Sequence, residues 1–254
     1  MTLVDRALRS FSRTLVVALL VLASLPLCAG RAATSDPERA AWKGSGQLSL
    51  LTASGNSRSK SGSVRFELVN DWPEVDRLTF TAGVLYNESD GEKTAEAEYL
   101  NGKYDYFHTP DTYSLYYLGV ERDEFAGFDY RVTARIGLGH QFIESDNDTL
   151  DGEAGFDYVY EEKEPKAEAF PVARLYGKYT HKFAERISFL QDLELLENLT
   201  DTEDYRVNTL TALEVGLNSR LSFKTAVTVK YDHQPVEDNQ TLDYFTETAL
   251  VLNF

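Results

Sequence analysis

The sequence predicts an all-β fold, a transmembrane antiparallel up-and-down β-barrel of 12 strands, and three observations carry that prediction. Apolar and polar residues alternate with a period of two from Trp42 to the end of the chain, and no helical period is sustained. The alternating segments run to about 11–16 residues, against ~5–6 in globular sheets and the ~9–11 that a tilted strand needs to cross a bilayer core. Short connections alternate with longer, more charged ones, as in outer-membrane barrels.

Composition narrows the class. The chain has 254 residues, 43% hydrophobic and 26% charged, enough for a full core and too apolar for disorder. With 25 Lys+Arg against 41 Asp+Glu, a net charge of −16, it lacks the basic footprint of a nucleic-acid binder. The single cysteine, Cys28, excludes a disulfide framework, and the four histidines are too scattered for a zinc site, so no metal or other cofactor is expected. A mean hydropathy of −0.35 excludes a bundle of membrane helices but not a barrel with a polar inner face.

The first segment reads as a secretory signal peptide. Arg6, Arg9 and Arg13 precede an apolar run over 15–27, short of the ~20 residues of a membrane helix, and the small residues Ala29, Gly30, Ala32 and Ala33 follow. Cleavage after Ala32 puts Gly30 and Ala32 at the −3 and −1 positions. A lipoprotein signal at Cys28 is the rival, and it needs a small residue where Leu27 stands. The expected organisation is a signal peptide at 1–32, a short periplasmic lead at 33–41 and a barrel at 42–254.

Strands are expected near 42–53, 61–71, 77–88, 94–107, 112–122, 128–142, 149–161, 166–183, 186–197, 204–217, 220–233 and 240–254. The sixth sets Tyr130, Val132, Ala134, Ile136 and Leu138 against Asp129, Arg131, Thr133 and Arg135; the seventh sets Leu150, Ala154, Phe156 and Tyr158 against Asp151, Glu153 and Asp157. The fifth is too uniformly Tyr and Leu to phase. Turns such as WPEVD, HTPD and ESDND fall between the second and third, fourth and fifth, and sixth and seventh strands, and longer stretches such as ESDGEKT, ERDEFAGF and HQPVEDNQ fall on the other side. An even count leaves both termini on the short-turn side. Phe107, Phe142, Phe183 and Phe254 fall at that rim and Tyr86, Phe125, Phe128, Tyr160 and Tyr205 towards the other, a two-girdle pattern that a soluble sandwich does not require. Phe254 ends a strand whose Leu252, Leu250, Thr248 and Thr246 share its face, resembling the signal read by barrel-assembly machinery.

The residues Trp42-Lys-Gly-Ser-Gly, the LSLLTASGNSRSKS stretch after Gln47 and RDEFAGFDYRVTARIGLGHQFI from Arg122 to Ile143 resemble the YdiY-like family of salt-induced outer-membrane proteins. The likeness spans essentially all of 42–254, and its most specific parts are the Thr-x-Ser-Gly-Asn turn at 52–56 and the Phe-x-Gly-Phe-Asp-Tyr stretch at 125–130. It implies fold and compartment. It implies no activity and no site residues.

With the apolar face turned to lipid, the lumen holds a charge ladder whose candidate members are Arg131, Arg135, Asp151, Glu153, Asp157, Glu161, Arg174 and Lys178. Folding the hairpin of the sixth and seventh strands about Asp146 sets Arg135 opposite Asp157 and Arg131 opposite Glu161. The ladder lines a narrow, mildly cation-favouring pore on one reading and forms a salt-bridged plug on the other, since 12 strands lie between filled 8-stranded barrels and open 16-stranded ones. Glu88, Asp90, Glu92, Glu121, Asp123 and Glu124 lead the outer-loop acids, a solvated rim first and a site for cations bridging lipopolysaccharide phosphates second. Asp146, Asp148, Asp151 and Gly152 lack calcium-loop spacing. Because some 12-stranded barrels are lipid hydrolases, the histidines matter: His140 and His181 face outward with no outward Ser in reach, and Ser188 and Ser222 face inward. No catalytic residue is assigned. The expectation is a monomer in outer-membrane lipid and lipopolysaccharide, a passive channel for ions or small polar solutes and not an enzyme; the alternative is a closed barrel with a structural or envelope-stress role.

Overall fold

A computed structural model describes residues 42–53, 59–72, 75–90, 92–123, 126, 128–162, 166–235 and 240–254, all within the compact unit Ala40–Phe254. The expected signal peptide and lead, Cys28, Glu124 and Phe125 lie outside the described residues.

The described residues form twelve strands: β1 (Lys43–Ala53), β2 (Ser59–Trp72), β3 (Asp76–Ser89), β4 (Glu92–Phe107), β5 (Thr112–Asp123), β6 (Phe128–Glu144), β7 (Asp148–Glu162), β8 (Glu168–Ala184), β9 (Ile187–Asn198), β10 (Tyr205–Gly216), β11 (Leu221–Asp232) and β12 (Leu242–Asn253). Each pairs antiparallel with its sequence neighbours, and β12 returns to β1 to close the barrel. The closing seam pairs Ser45 with Asn253 through Leu48 with Leu250, and Gly44 and Phe254 exchange backbone hydrogen bonds of 2.7 and 2.9 Å beyond it. Closure joins the two end strands over this stretch, as a sheet surrounded by hydrocarbon requires, while 49–53 of β1 and 242–249 of β12 have no partner across the seam among the described residues.

Alternation then fixes two surfaces. Outward positions are large, apolar and exposed, among them Phe66 at 55%, Ile136 at 62%, Phe156 at 61% and Leu250 at 48% of their full surface. A continuous belt of this kind is matched to lipid rather than water. Aromatic pairs bound the belt at both ends: Tyr130 with Tyr160 (6.1 Å) and Tyr205 with Tyr231 (5.9 Å) near the longer loops, Tyr104 with Tyr116 (6.4 Å) and His181 with Phe183 (4.6 Å) near the short turns. From Tyr130 to Phe142 along β6 the chain climbs ~28 Å at ~3.3 Å per residue and a tilt of about 45°, close to the ~30 Å of a hydrocarbon core.

One open question is answered and three expectations are corrected. The fifth strand acquires a phase, with Tyr113, Leu115, Tyr117, Gly119 and Glu121 inward and Tyr116, Leu118 and Val120 outward. Phe107 is no rim aromatic: it points inward, is buried, and packs on Tyr113 at 5.1 Å. Phe128 is also buried, beneath the Arg131 guanidinium at 4.0 Å, because a register shift between Glu121 and Asp123 breaks strict alternation there. The ESDGEKT loop contracts to 90–91 because Asp90, at φ 51°, takes the left-handed conformation that an Asp-Gly hairpin turn demands. Glu88 and Glu92 therefore sit on β3 and β4, and Glu121 and Asp123 on β5, rather than in loops.

Candidate functional site: a charged lumen

The inward residues of β4 and β6 to β10 meet in one ion-pair network near mid-height. Arg135, one residue from the middle of β6, grips Asp157 of β7 through two hydrogen bonds of 2.6 and 2.7 Å, as their opposed register requires. Arg174 of β8 donates to Glu153 (2.9 Å) and Glu194 (2.5 Å), and Glu194 also accepts from Asn208 (3.1 Å). Lys103 of β4 reaches across β5 and β6 to Glu153 at 2.5 Å and holds Asp105 at 3.1 Å on its own strand, while the Tyr113 hydroxyl donates to Glu153 at 3.0 Å. Asp157 and Asp105 retain 2% of their side-chain surface, Glu153 5% and Arg174 6%, so these charges are desolvated and depend on one another.

A second cluster lies nearer the long-loop end. Arg131 binds Glu161 at 2.6 Å and Glu121 at 2.6 Å, and Arg206 lies 3.7–3.9 Å from Asp204, Asp232 and Glu161. Guanidinium groups also stack on rings, Arg135 over Tyr117 at 4.7 Å and Arg174 over Tyr176 at 4.6 Å. On the far wall, Arg65 pairs with Glu247 at 3.1 Å, and Ser63 donates to the same carboxylate. Asp151 and Lys178, expected in the ladder, face each other across β7 and β8 but join no ion pair among the described residues.

Sequence reasoning left out what crosses the lumen. Lys103, Glu194 and Glu247 read as inward charges, but periodicity gives a face and no reach. Arg77 was missed outright; it pairs with Asp71 at 3.1 Å and stacks over Phe107 at 5.4 Å. Two inward tyrosines were also missed. The Tyr113 ring lies over its opposite partner Gly139, where a Cβ would come within 2.2 Å of it, and Tyr99 covers Gly83 in the same way. A large residue opposite Gly is the readable signal.

Above the network a cavity of about 850 Å³ extends to the long-loop end. Its wall carries eight carboxylates (Glu121, Asp123, Asp157, Asp192, Glu194, Asp204, Asp232 and Asp243) against four cationic groups (Arg131, Arg135, Arg206 and Lys230). Arg135, Glu194, Asp192, Tyr117 and Tyr176 form its floor. Below that floor lie Lys103 and the buried cluster of Phe107, Tyr113 and Leu115, while Glu67 of β2 is exposed on the inward face nearer the short turns.

Three of the four histidines make contacts at the short-turn rim, while His233 meets Tyr231 at 2.9 Å at the long-loop end. His140 bonds Thr112 at 2.9 Å and His181 bonds Asp148 at 2.7 Å. The histidine with a serine partner is His108, whose Nε2 lies 2.6 Å from Ser114 Oγ, and no carboxylate pairs with His108 among the described residues.

Residues 46–254 match the family described as protein of unknown function, DUF481. The chain belongs to that family. An outer-membrane channel from Pseudomonas putida F1 superposes on this DUF481 chain with a TM-score of 0.51 at 12% identity, covering 88% of this chain and 100% of that one. The NanC porin gives 0.49 at 10% identity over 84% and 98% of the two chains, and the KdgM porin 0.47 at 9% over 84% and 98%. Likeness at such identity shows the barrel fold. No curated protein matches the chain.

Proposed function

We propose that this DUF481 protein is a monomeric outer-membrane channel that passes small cations or small polar solutes, with the short turns in the periplasm and the longer loops outside. The observation that carries the reading is the acidic vestibule, about 850 Å³ with twice as many carboxylates as cationic groups. Fixed charge in a narrow, low-dielectric cleft concentrates counter-ions, so the outer half of the lumen gathers cations before any translocation. Glu67, exposed on the inward face nearer the short turns, supports reading the mid-height network as the barrier between two wet compartments.

The supporting parts follow from the same placement. The strand ending in Phe254 is the element offered to assembly machinery, the rim acids face lipopolysaccharide, and residues 1–32 serve export. We assign no catalysis. A closed barrel that supports the envelope is the second reading, favoured by the packing of Phe107, Tyr113 and Leu115 beneath the network.

Single-channel recording in a planar bilayer under a salt gradient tests the choice. Discrete steps with a cation-favouring reversal potential are expected, and Asp243→Arg, at an exposed vestibule position, should move that potential towards the anion side. Silence from folded, inserted protein overturns the channel in favour of the closed barrel, and anion selectivity overturns the vestibule argument.

A further inference from the structure

The outer wall carries a second cavity, a groove of about 710 Å³ on the belt side. Its walls are two rows of directly opposed residues. Ser114, Leu138, Ala154, Leu175 and Leu195 form one row, each facing the next across β5 to β9. Tyr116, Ile136, Phe156, Ala173 and Glu197 form the other. Between the rows the floor passes over Gly137 and Gly155, which oppose each other, and the sheet is bent so tightly there that neither has room for a Cβ. One at Gly137 would lie 2.5 Å from the Ala154 carbonyl oxygen, and one at Gly155 2.6 Å from that of Ile136.

Four interstrand spacings of ~4.8 Å make the groove ~19 Å long. Running across strands tilted by about 45°, it crosses the belt diagonally, close to what a slanted acyl chain needs to cross one leaflet of ~15 Å, half the hydrocarbon core. Its ends differ in chemistry. At the periplasmic end Ser114 and His108 form a hydrogen-bonded pair at 2.6 Å, beside the Thr112–His140 pair. At the opposite end stands the Glu197 carboxylate. Hydroxyl and imidazole donors suit a phosphate, and a carboxylate repels one.

We propose that this groove binds one glycerophospholipid of the periplasmic leaflet, with an acyl chain along the Leu138–Leu175–Leu195 wall and its phosphate at Ser114 and His108. The charge order selects this orientation over a lipopolysaccharide chain entering from the Glu197 end. The site rests on the membrane placement above and not on conduction, so a silent barrel leaves it intact.

The test is native mass spectrometry of detergent-purified protein loaded from mixed micelles of phosphatidylethanolamine and diacylglycerol, with a lipopolysaccharide-loaded sample alongside. Wild type and Ala82→Leu, a belt position on β3 away from the groove, should each retain one phosphatidylethanolamine in preference to diacylglycerol. Ala154→Leu/Ala173→Leu fills the groove from its own walls and should lower retention by about tenfold or more. His108→Ala/Ser114→Ala should remove the preference for the phosphate-bearing lipid. Equal retention by the filled variant overturns the proposal, as does retention of lipopolysaccharide or of a second copy of the chain in place of the phospholipid. If the filled variant does not fold, photo-crosslinking of wild type with an acyl-labelled phosphatidylethanolamine decides: label on β5 to β9 supports the site, and label spread evenly around the belt overturns it.

Discussion

Replacing Arg135 by Met tests whether the lumen network holds the barrel together. The guanidinium makes two hydrogen bonds of 2.6 and 2.7 Å to Asp157, and the two side chains retain 12% and 2% of their surface. Among the described residues Asp157 has no other ion-pair partner, so the substitution strands a desolvated carboxylate. Stranding a buried charge costs ~3–5 kcal/mol, and the low end applies because Asp157 lies on the vestibule wall, where water replaces part of what is lost. A loss of about 3 kcal/mol lowers the folding constant by roughly two powers of ten. Removing both partners with Arg135→Met/Asp157→Leu leaves no orphan and should return stability to within about 1 kcal/mol of wild type. The assay is urea unfolding of protein folded into lipid vesicles, followed by tryptophan fluorescence and by the gel shift between folded and boiled protein. A single variant within about 1 kcal/mol of wild type, or a double variant as unstable as the sum of the two singles, refutes the argument, since coupled groups in contact must deviate from additivity.

Further consequences follow from other contacts. Gly139→Ala should destabilise the barrel by ~1–3 kcal/mol, because the added methyl meets the Tyr113 ring, and Tyr113→Ala in the same background should relieve that strain in the same unfolding assay. Asp90→Val should cost ~1 kcal/mol and slow hairpin formation, whereas Asp90→Gly should not, since only the β-branched residue is strained at a φ of 51°. Phe254→Ala should lower the fraction of chain in heat-shifting folded form in cells while leaving refolding in detergent unchanged, because the backbone bonds at Gly44 do not need the ring.

Much of this architecture is legible in the sequence because one rule writes it twice. Period-two alternation gives each residue a face, and every strand end falls within two residues of its expected position. The same rule places Arg135 opposite Asp157 once Asp146 is taken as the turn. The rule fails where its premise fails. β5 carries Tyr and Leu on both faces because its inward side packs on the glycines and rings of its neighbours instead of meeting water. Phe128 changes sides at a bulge, which no periodicity announces. Lys103 meets Glu153 across two intervening strands, a contact set by lumen diameter and side-chain length. Sequence gives faces and neighbours; distance across the barrel belongs to the closed fold.

On the channel reading proposed above, that cross-lumen contact also sets how the barrel should behave. Most links in the network run along the wall, and the Lys103–Glu153 pair is the one that bridges β4 to β7 below the vestibule floor. Letting Lys103 swing back to Asp105 leaves Glu153 with Arg174 and Tyr113, so neither charge is stranded. Lys103 keeps 27% of its side-chain surface and Glu153 only 5%, so the cost falls between that of an exposed pair, ~0–1 kcal/mol, and a broken buried one, ~3–5 kcal/mol. A cost of about 2 kcal/mol would put the form with this pair broken at roughly 3%, within the usual range of a minor state. Recordings should therefore show long silent stretches with brief steps, and Lys103→Gln, one bond shorter and uncharged but still able to donate to Asp105, should raise the open fraction several-fold. An unchanged open fraction in that variant would place the barrier lower, at the packed rings of Phe107 and Tyr113, and the ion pair would then be a strut and not a gate.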